Sequence, residues 1–138
     1  MRDKYKYSDI TEQIIKAFYK VYNTLGHGFL EKVYENALAI ELRQQGLSVV
    51  QQAPIKVHYN GRLVGEYYAD LLVEGKVIVE LKTAEALTDE HHAQLLNYLK
   101  ATEIEVGLIL NFGPSEPEVR RKIFETARRS KITPPDKN

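Results

Sequence analysis

The sequence contains no cysteine, which excludes both disulfides and thiolate metal sites. It also lacks any apolar run near the roughly 18 residues that a membrane-spanning helix needs, so no membrane association is expected. The N-terminus shows no signal-peptide pattern, and a cytoplasmic location is the default expectation. An excess of one charge is missing too, because 19 Lys and Arg balance 19 Asp and Glu. Many nucleic-acid binders are clearly basic, so this balance counts against a tight nonspecific binder without excluding a local patch. No internal repeat, linker or low-complexity segment is visible.

What remains is the composition of one globular domain spanning residues 1–138, with 43% apolar and 28% charged residues. Basic charge gathers late, in "EVRRKIFETARRSK" (118–131), where six Lys and Arg stand against two Glu. A solvated face is the ordinary reading of such a run.

Asp9 and Glu12 have the spacing of a capping box ahead of a helix whose apolar positions are Ile10, Ile14, Phe18, Val21, Tyr22 and Leu25. "GHG" (26–28) ends it. A second helix is expected from near Phe29, burying Leu30, Val33, Tyr34, Ala37, Leu38 and Leu42, with Gly46 as its stop. The period then changes to two. Ile55, Val57 and Tyr59 alternate with polar residues, and Asn60-Gly61 is a strong hairpin signal. Pro54 suits the start of an edge strand, and Gly65 suggests a bulge. The return strand, Arg62 to Val73, turns at Glu74-Gly75 into Val77–Lys82. Thr88 is the expected N-cap of a helix over Asp89–Ala101. "VGLILNF" (106–112) reads as a strand covered on both faces. Val119–Phe124 is expected to be a last strand and 129–138 a frayed tail. The fold class is therefore α/β, in the order ααβββαβ(β), with helices against both faces of a mixed four- to five-stranded sheet.

Within "YYADLLVEGKVIVELK" (67–82), Asp70, Glu80 and Lys82 interrupt an apolar run. Such charges are costly to bury without partners. Alternation puts Ile78, Glu80 and Lys82 on one face, and Glu66, Tyr68 and Asp70 on one face of the preceding strand. A two-residue turn would send Asp70 and Glu80 to opposite faces. A three-residue connection, Glu74-Gly75-Lys76, or a bulge would set them opposite each other. The three-residue connection is the expectation here. Two adjacent carboxylates repel unless a cation lies between them, and Mg²⁺ accepts two such oxygens while keeping open positions for water and phosphate. Lys82 could then orient water or neutralise developing charge, which are the requirements of phosphodiester hydrolysis. A plain ion pair at a sheet edge is the competing reading of Glu-x-Lys. The helices add Glu31 and Tyr34 at i and i+3, and His91, Gln94 and Tyr98 along one flank. His92 falls on the apolar stripe and reads as a core histidine.

Asp70 followed by Glu80-Leu81-Lys82 resembles the Asp and Glu-x-Lys of the PD-(D/E)xK nuclease superfamily. "QLLNY" (94–98) resembles the Gln-x-x-x-Tyr element of RecB-type exonuclease domains, and "GFLEKVY" (28–34) the signature of the GxxExxY family. The resemblance covers roughly Ile10 to Phe112. It departs in having Ala69 where the motif has Pro. It implies a restriction-endonuclease-like core and a site for Mg²⁺, with Mn²⁺ as a substitute. By the same resemblance, Asp70, Glu80, Glu31 and the Leu81 carbonyl would be metal ligands and Lys82 the catalytic lysine. Gln94, Tyr98, Tyr34 and His91 would position substrate. The implied partner is nucleic acid, DNA ahead of RNA, with a homodimer or larger protein partner supplying further surface. A non-catalytic binding or regulatory module on the same fold is the alternative.

Overall fold

The computed structural model describes residues 6–125. Along the chain these form α1 (Ser8–Leu25), α2 (Glu31–Gln44), β1 (Val49–Tyr59), β2 (Arg62–Val73), β3 (Val77–Lys82), α3 (Asp89–Ala101), β4 (Val106–Phe112) and β5 (Pro117–Ile123). The described strands make one sheet in the order β1-β2-β3-β4-β5. Neighbours are antiparallel except β3 and β4, the parallel pair that α3 connects. The mixed sheet and the element order match the expectation, including the last strand. The proposed tail, 129–138, lies outside the described residues. No described helix is long and apolar enough to cross a membrane.

One apolar layer joins α1 and α2 to the sheet through Ile14, Phe18, Tyr34 and Leu38 against Leu71, Val79, Leu108 and Phe112. The other joins α3 to the sheet through Leu95, Tyr98 and Leu99 against Ile55, Ala69, Ile78 and Ile109. All seven residues of β4 are buried, as a strand covered on both faces requires. Gly107 lets α3 sit close, since a Cβ there would lie 2.7 Å from a methyl of Leu95.

Several local expectations need correction. The Asp9–Glu12 capping box does not form. Helix α1 starts at Ser8 after a left-handed Tyr7 with no side-chain cap, so Asp9 is inside the first turn, where its charge suits the helix dipole. Helix α2 starts at Glu31, leaving Leu30 80% and Val33 39% exposed. Its buried stripe is rotated to Tyr34, Glu35, Leu38, Ala39 and Leu42. Strand β1 begins at Val49, which places Pro54 in its interior. Pro54 is tolerated there because β1 is an edge strand among the described strands, paired with β2 alone of them.

The β1–β2 hairpin carries two irregularities that shape the site. Asn60 and Gly61 both have positive φ, as a type I′ turn demands, and the register shifts between Val57 and His58, leaving Val64 as an extra residue beside Gly65. The second irregularity lies deeper. Gln51 pairs Leu71 and Ala53 pairs Ala69, but the intervening Gln52 has φ 54. Val49, Leu71 and Val73 face the α1–α2 layer, whereas Ile55 and Ala69, of the same parity, face α3. The hairpin therefore changes face at the level of Gln52 and Asp70. Parity does not carry through Asp70, so Tyr67, and not Tyr68, reaches α3, with its ring 5.8 Å from that of Tyr98.

Candidate functional site

The β2–β3 connection is Glu74-Gly75-Lys76, and the ladder runs Val73–Val77, Leu72–Ile78, Leu71–Val79. One step further, Asp70 meets Glu80. There the carboxylates replace the backbone ladder: the Asp70 N–H donates to Glu80 Oε2 at 2.9 Å, and the Leu81 N–H donates to Asp70 Oδ2 at 2.8 Å. The odd-length turn thus puts the two acids side by side.

Their surroundings disfavour two negative charges. Glu80 is 5% exposed, and burial followed by the neighbouring Asp70 pushes its carboxyl up to about 8. The Asp70 N–H and the Lys82 ammonium act in the opposite direction. Asp70 is also raised, chiefly by burial, against hydrogen bonds from Leu81 and Gln52. Glu31, the first residue of α2, is raised by burial and by Asp70, against Lys82, the Thr83 amide and His91. All three acids therefore share one electrostatic environment with Lys82.

Lys82 Nζ donates to Gln94 Oε1 at 3.2 Å, which ties β3 to α3. One turn later Tyr98 is 6% exposed, and burial plus the charges of Glu80 and Asp70 push its hydroxyl up to about 12. Asp70, Glu80, Leu81, Lys82, Glu31, Gln94 and Tyr98 are therefore neighbours. Two other sequence candidates are engaged elsewhere, although His91 is near enough to act on the Glu31 charge. Tyr34 is fully buried, stacked on Phe112 at 4.1 Å. Its hydroxyl donates to the Gly26 carbonyl and accepts from the Phe29 N–H, so it pins the loop that delivers Glu31 and does not face a substrate. His91 turns back on its own helix. Its Nδ1 accepts from the Thr88 N–H at 3.1 Å, while the Thr88 hydroxyl accepts from the His91 N–H, completing a capping box. That bond puts the neutral ring's proton on Nε2. His92, read as a core histidine, is half-buried, and its Nδ1 has no hydrogen-bond partner.

The sequence reading missed Glu35 and Gln52. Glu35 is 3% exposed and accepts from Lys32 Nζ (3.0 Å), Gln51 Nε2 (2.8 Å) and Gln52 Nε2 (2.9 Å). Gln52 Nε2 also lies 3.4 Å from Asp70 Oδ1. The left-handed backbone of Gln52 thus points its amide between two carboxylates. The available signal was the i, i+4 spacing of Glu31 and Glu35, which places both on one helix face. A cleft of about 240 Å³ is lined by Glu31, Lys32, Glu35, Gln52, Asp70 and Leu81.

Among the described residues, no three His, Cys, Asp or Glu side chains gather closely enough to hold a metal by themselves. The donor chemistry nevertheless fits a hard divalent cation, which binds through one or two carboxylates and retains several waters. Asp70 and Glu80 supply the carboxylates, and the Leu81 backbone lies beside them. Burial raises the proton affinity of both carboxyls and the Lys82 ammonium offsets it only in part, so a cation held between them would favour their charged forms further.

Comparison with known proteins agrees with this fold. The model of the PD-(D/E)XK nuclease superfamily matches residues 8–122. The crystal structure of SSO0001 is similar in fold, with a TM-score of 0.54 and 19% identity over 90% of this chain. The match spans 63% of that longer chain, and at such identity the likeness concerns fold alone. The curated proteins gave no match. With most of its length matched and the mixed sheet in place, the chain belongs to the PD-(D/E)XK nuclease superfamily.

Proposed function

We propose that this protein is a divalent-metal-dependent nuclease, of the GxxExxY type, that hydrolyses phosphodiester bonds of DNA or RNA, with DNA favoured. The observation that carries the reading is the side-by-side Asp70–Glu80 pair at the end of the β2–β3 ladder, held by bonds from the Asp70 and Leu81 N–H groups, with Lys82 two residues beyond Glu80. Superfamily members in general act on nucleic acid and use divalent metals.

Asp70, Glu80 and the Leu81 carbonyl would hold Mg²⁺ or Mn²⁺, with Glu31 completing or tuning the set. When bound, the cation would supply positive charge at the scissile phosphate and lower the pKa of water. Lys82 orients the attacking water, or neutralises the charge that develops on the phosphoryl oxygens. Gln94 holds the Lys82 ammonium in place and Tyr98 closes the site beside Glu80. Tyr34 acts at a distance, by fixing Glu31. The chain acts as one domain, and a second copy or a larger partner would extend its nucleic-acid surface.

The test is digestion of single- and double-stranded DNA and RNA with Mg²⁺ or Mn²⁺, with Asp70→Ala and Lys82→Ala alongside. Metal-dependent cleavage lost in both variants is expected. Cleavage that survives both substitutions belongs to a contaminant and removes the proposal. Binding without any cleavage would favour the non-catalytic module.

A further inference from the structure

Beyond the acids, the hairpin's change of face at Gln52 and Asp70 opens a groove between β1–β2 and α3. Two contiguous cavities of about 340 and 500 Å³ share Val57, Tyr67 and Asn97 as walls. The first reaches Gln94 and Tyr98, and the second ends at His58 and Lys100. From Glu90 to Ala101 the helical wall is roughly 16 Å long at the usual rise per residue. The groove adjoins the candidate site directly, since Gln94 also accepts from Lys82.

We propose that this groove binds an unpaired strand of nucleic acid, with a base stacked on the ring of Tyr67 and the strand leading past Tyr98 towards Lys82. The inference rests on the nuclease reading for its substrate class. Two observations favour a single strand over a duplex. Tyr67 is 53% exposed although it lies on an inward-turned strand, so much of its ring is open to a ligand. A duplex keeps its π-faces stacked, and only an unpaired base can offer one to an aromatic wall. Among the described residues the groove is also poor in positive charge, with Lys100 and His58 at one end and Glu90 at the other. Duplex binding without sequence recognition depends on many Lys and Arg contacts to phosphate. Stacking, with amide contacts from Asn97 and Gln94, supplies affinity without them.

The experiment uses the full chain in EDTA, so that binding is measured without cleavage. Labelled oligonucleotides of about ten nucleotides are titrated by fluorescence anisotropy: single-stranded DNA, single-stranded RNA and a DNA duplex. A single-stranded probe carrying 2-aminopurine reports stacking by quenching. At least one single strand should bind tighter than the duplex. Tyr67→Ala should weaken it roughly tenfold and abolish quenching, while Tyr67→Phe retains both. Thermal melts verify that both variants are folded, as expected for a half-exposed position. Equal binding of duplex and single strand, or Tyr67→Ala indistinguishable from wild type, overturns the groove. The two readings fail separately. Lys82-dependent cleavage that ignores Tyr67→Ala leaves the nuclease without this groove, and Tyr67-dependent binding with no cleavage leaves the groove without a nuclease.

Discussion

Glu80→Gln should stabilise the metal-free protein at neutral pH. A carboxyl that titrates near 4.5 in the unfolded chain and about 8 in the fold binds a proton more tightly when folded. Between those values the unfolded chain has released its proton and the folded chain has not. Stability is therefore highest below about 4.5, falls as pH rises through the window, and levels off above about 8. At pH 7 the unfolded group is some 2.5 units past its midpoint, which corresponds to about 3 kcal/mol at 1.36 kcal/mol per unit. Because Asp70 shares the titration, about 2–3 kcal/mol is the expected cost. Glutamine is neutral at every pH, and its amide oxygen can still accept from the Asp70 N–H. For a domain of this size the gain should raise the melting midpoint by roughly 10 °C at pH 7 in EDTA. The gain should shrink to little near pH 4. Asp70 and Glu31 are also raised, so wild type and variant both lose stability with pH, and their difference reports Glu80 together with its coupling to Asp70. Circular-dichroism melts across this range measure it. A difference that does not vary with pH, or a variant less stable at pH 7, would refute the reasoning. Adding millimolar Mg²⁺ or Mn²⁺ should raise the wild-type midpoint by linkage and leave Glu80→Gln nearly unmoved.

Glu35→Ala should cost about 1–2 kcal/mol, since it strips an acceptor from Lys32, Gln51 and Gln52. It should also shrink the metal-induced rise in melting midpoint, because Gln52 then no longer positions Asp70. Tyr34→Phe should lower the midpoint by several degrees, about 1–2 kcal/mol, through the lost bonds to Gly26 and Phe29. With substrate present, its effect on cleavage should be well below that of Lys82→Ala, and comparison of the two rates measures this.

Much of the fold was legible locally. Asn60-Gly61 announced the hairpin, the change from helical to two-residue period marked the sheet, and the odd Glu74-Gly75-Lys76 connection determined that Asp70 would lie beside Glu80. These features depend on residues within a few positions of one another, where spacing translates directly into geometry. Tertiary structure decided the rest. Which stripe of α2 turns inward depends on how the helix docks on the sheet, so Glu35 went in where Val33 was expected. Tyr34 became a pin for the loop because Phe112, far along the chain, offered a ring to stack on. Where the hairpin changes face depends on the competition of two helical layers for β1 and β2, and alternation along a single strand carries no trace of that contest. The acids and their register were therefore written in the sequence. The clamp on Asp70 and the groove beside α3 exist only once the sheet has twisted between its helices.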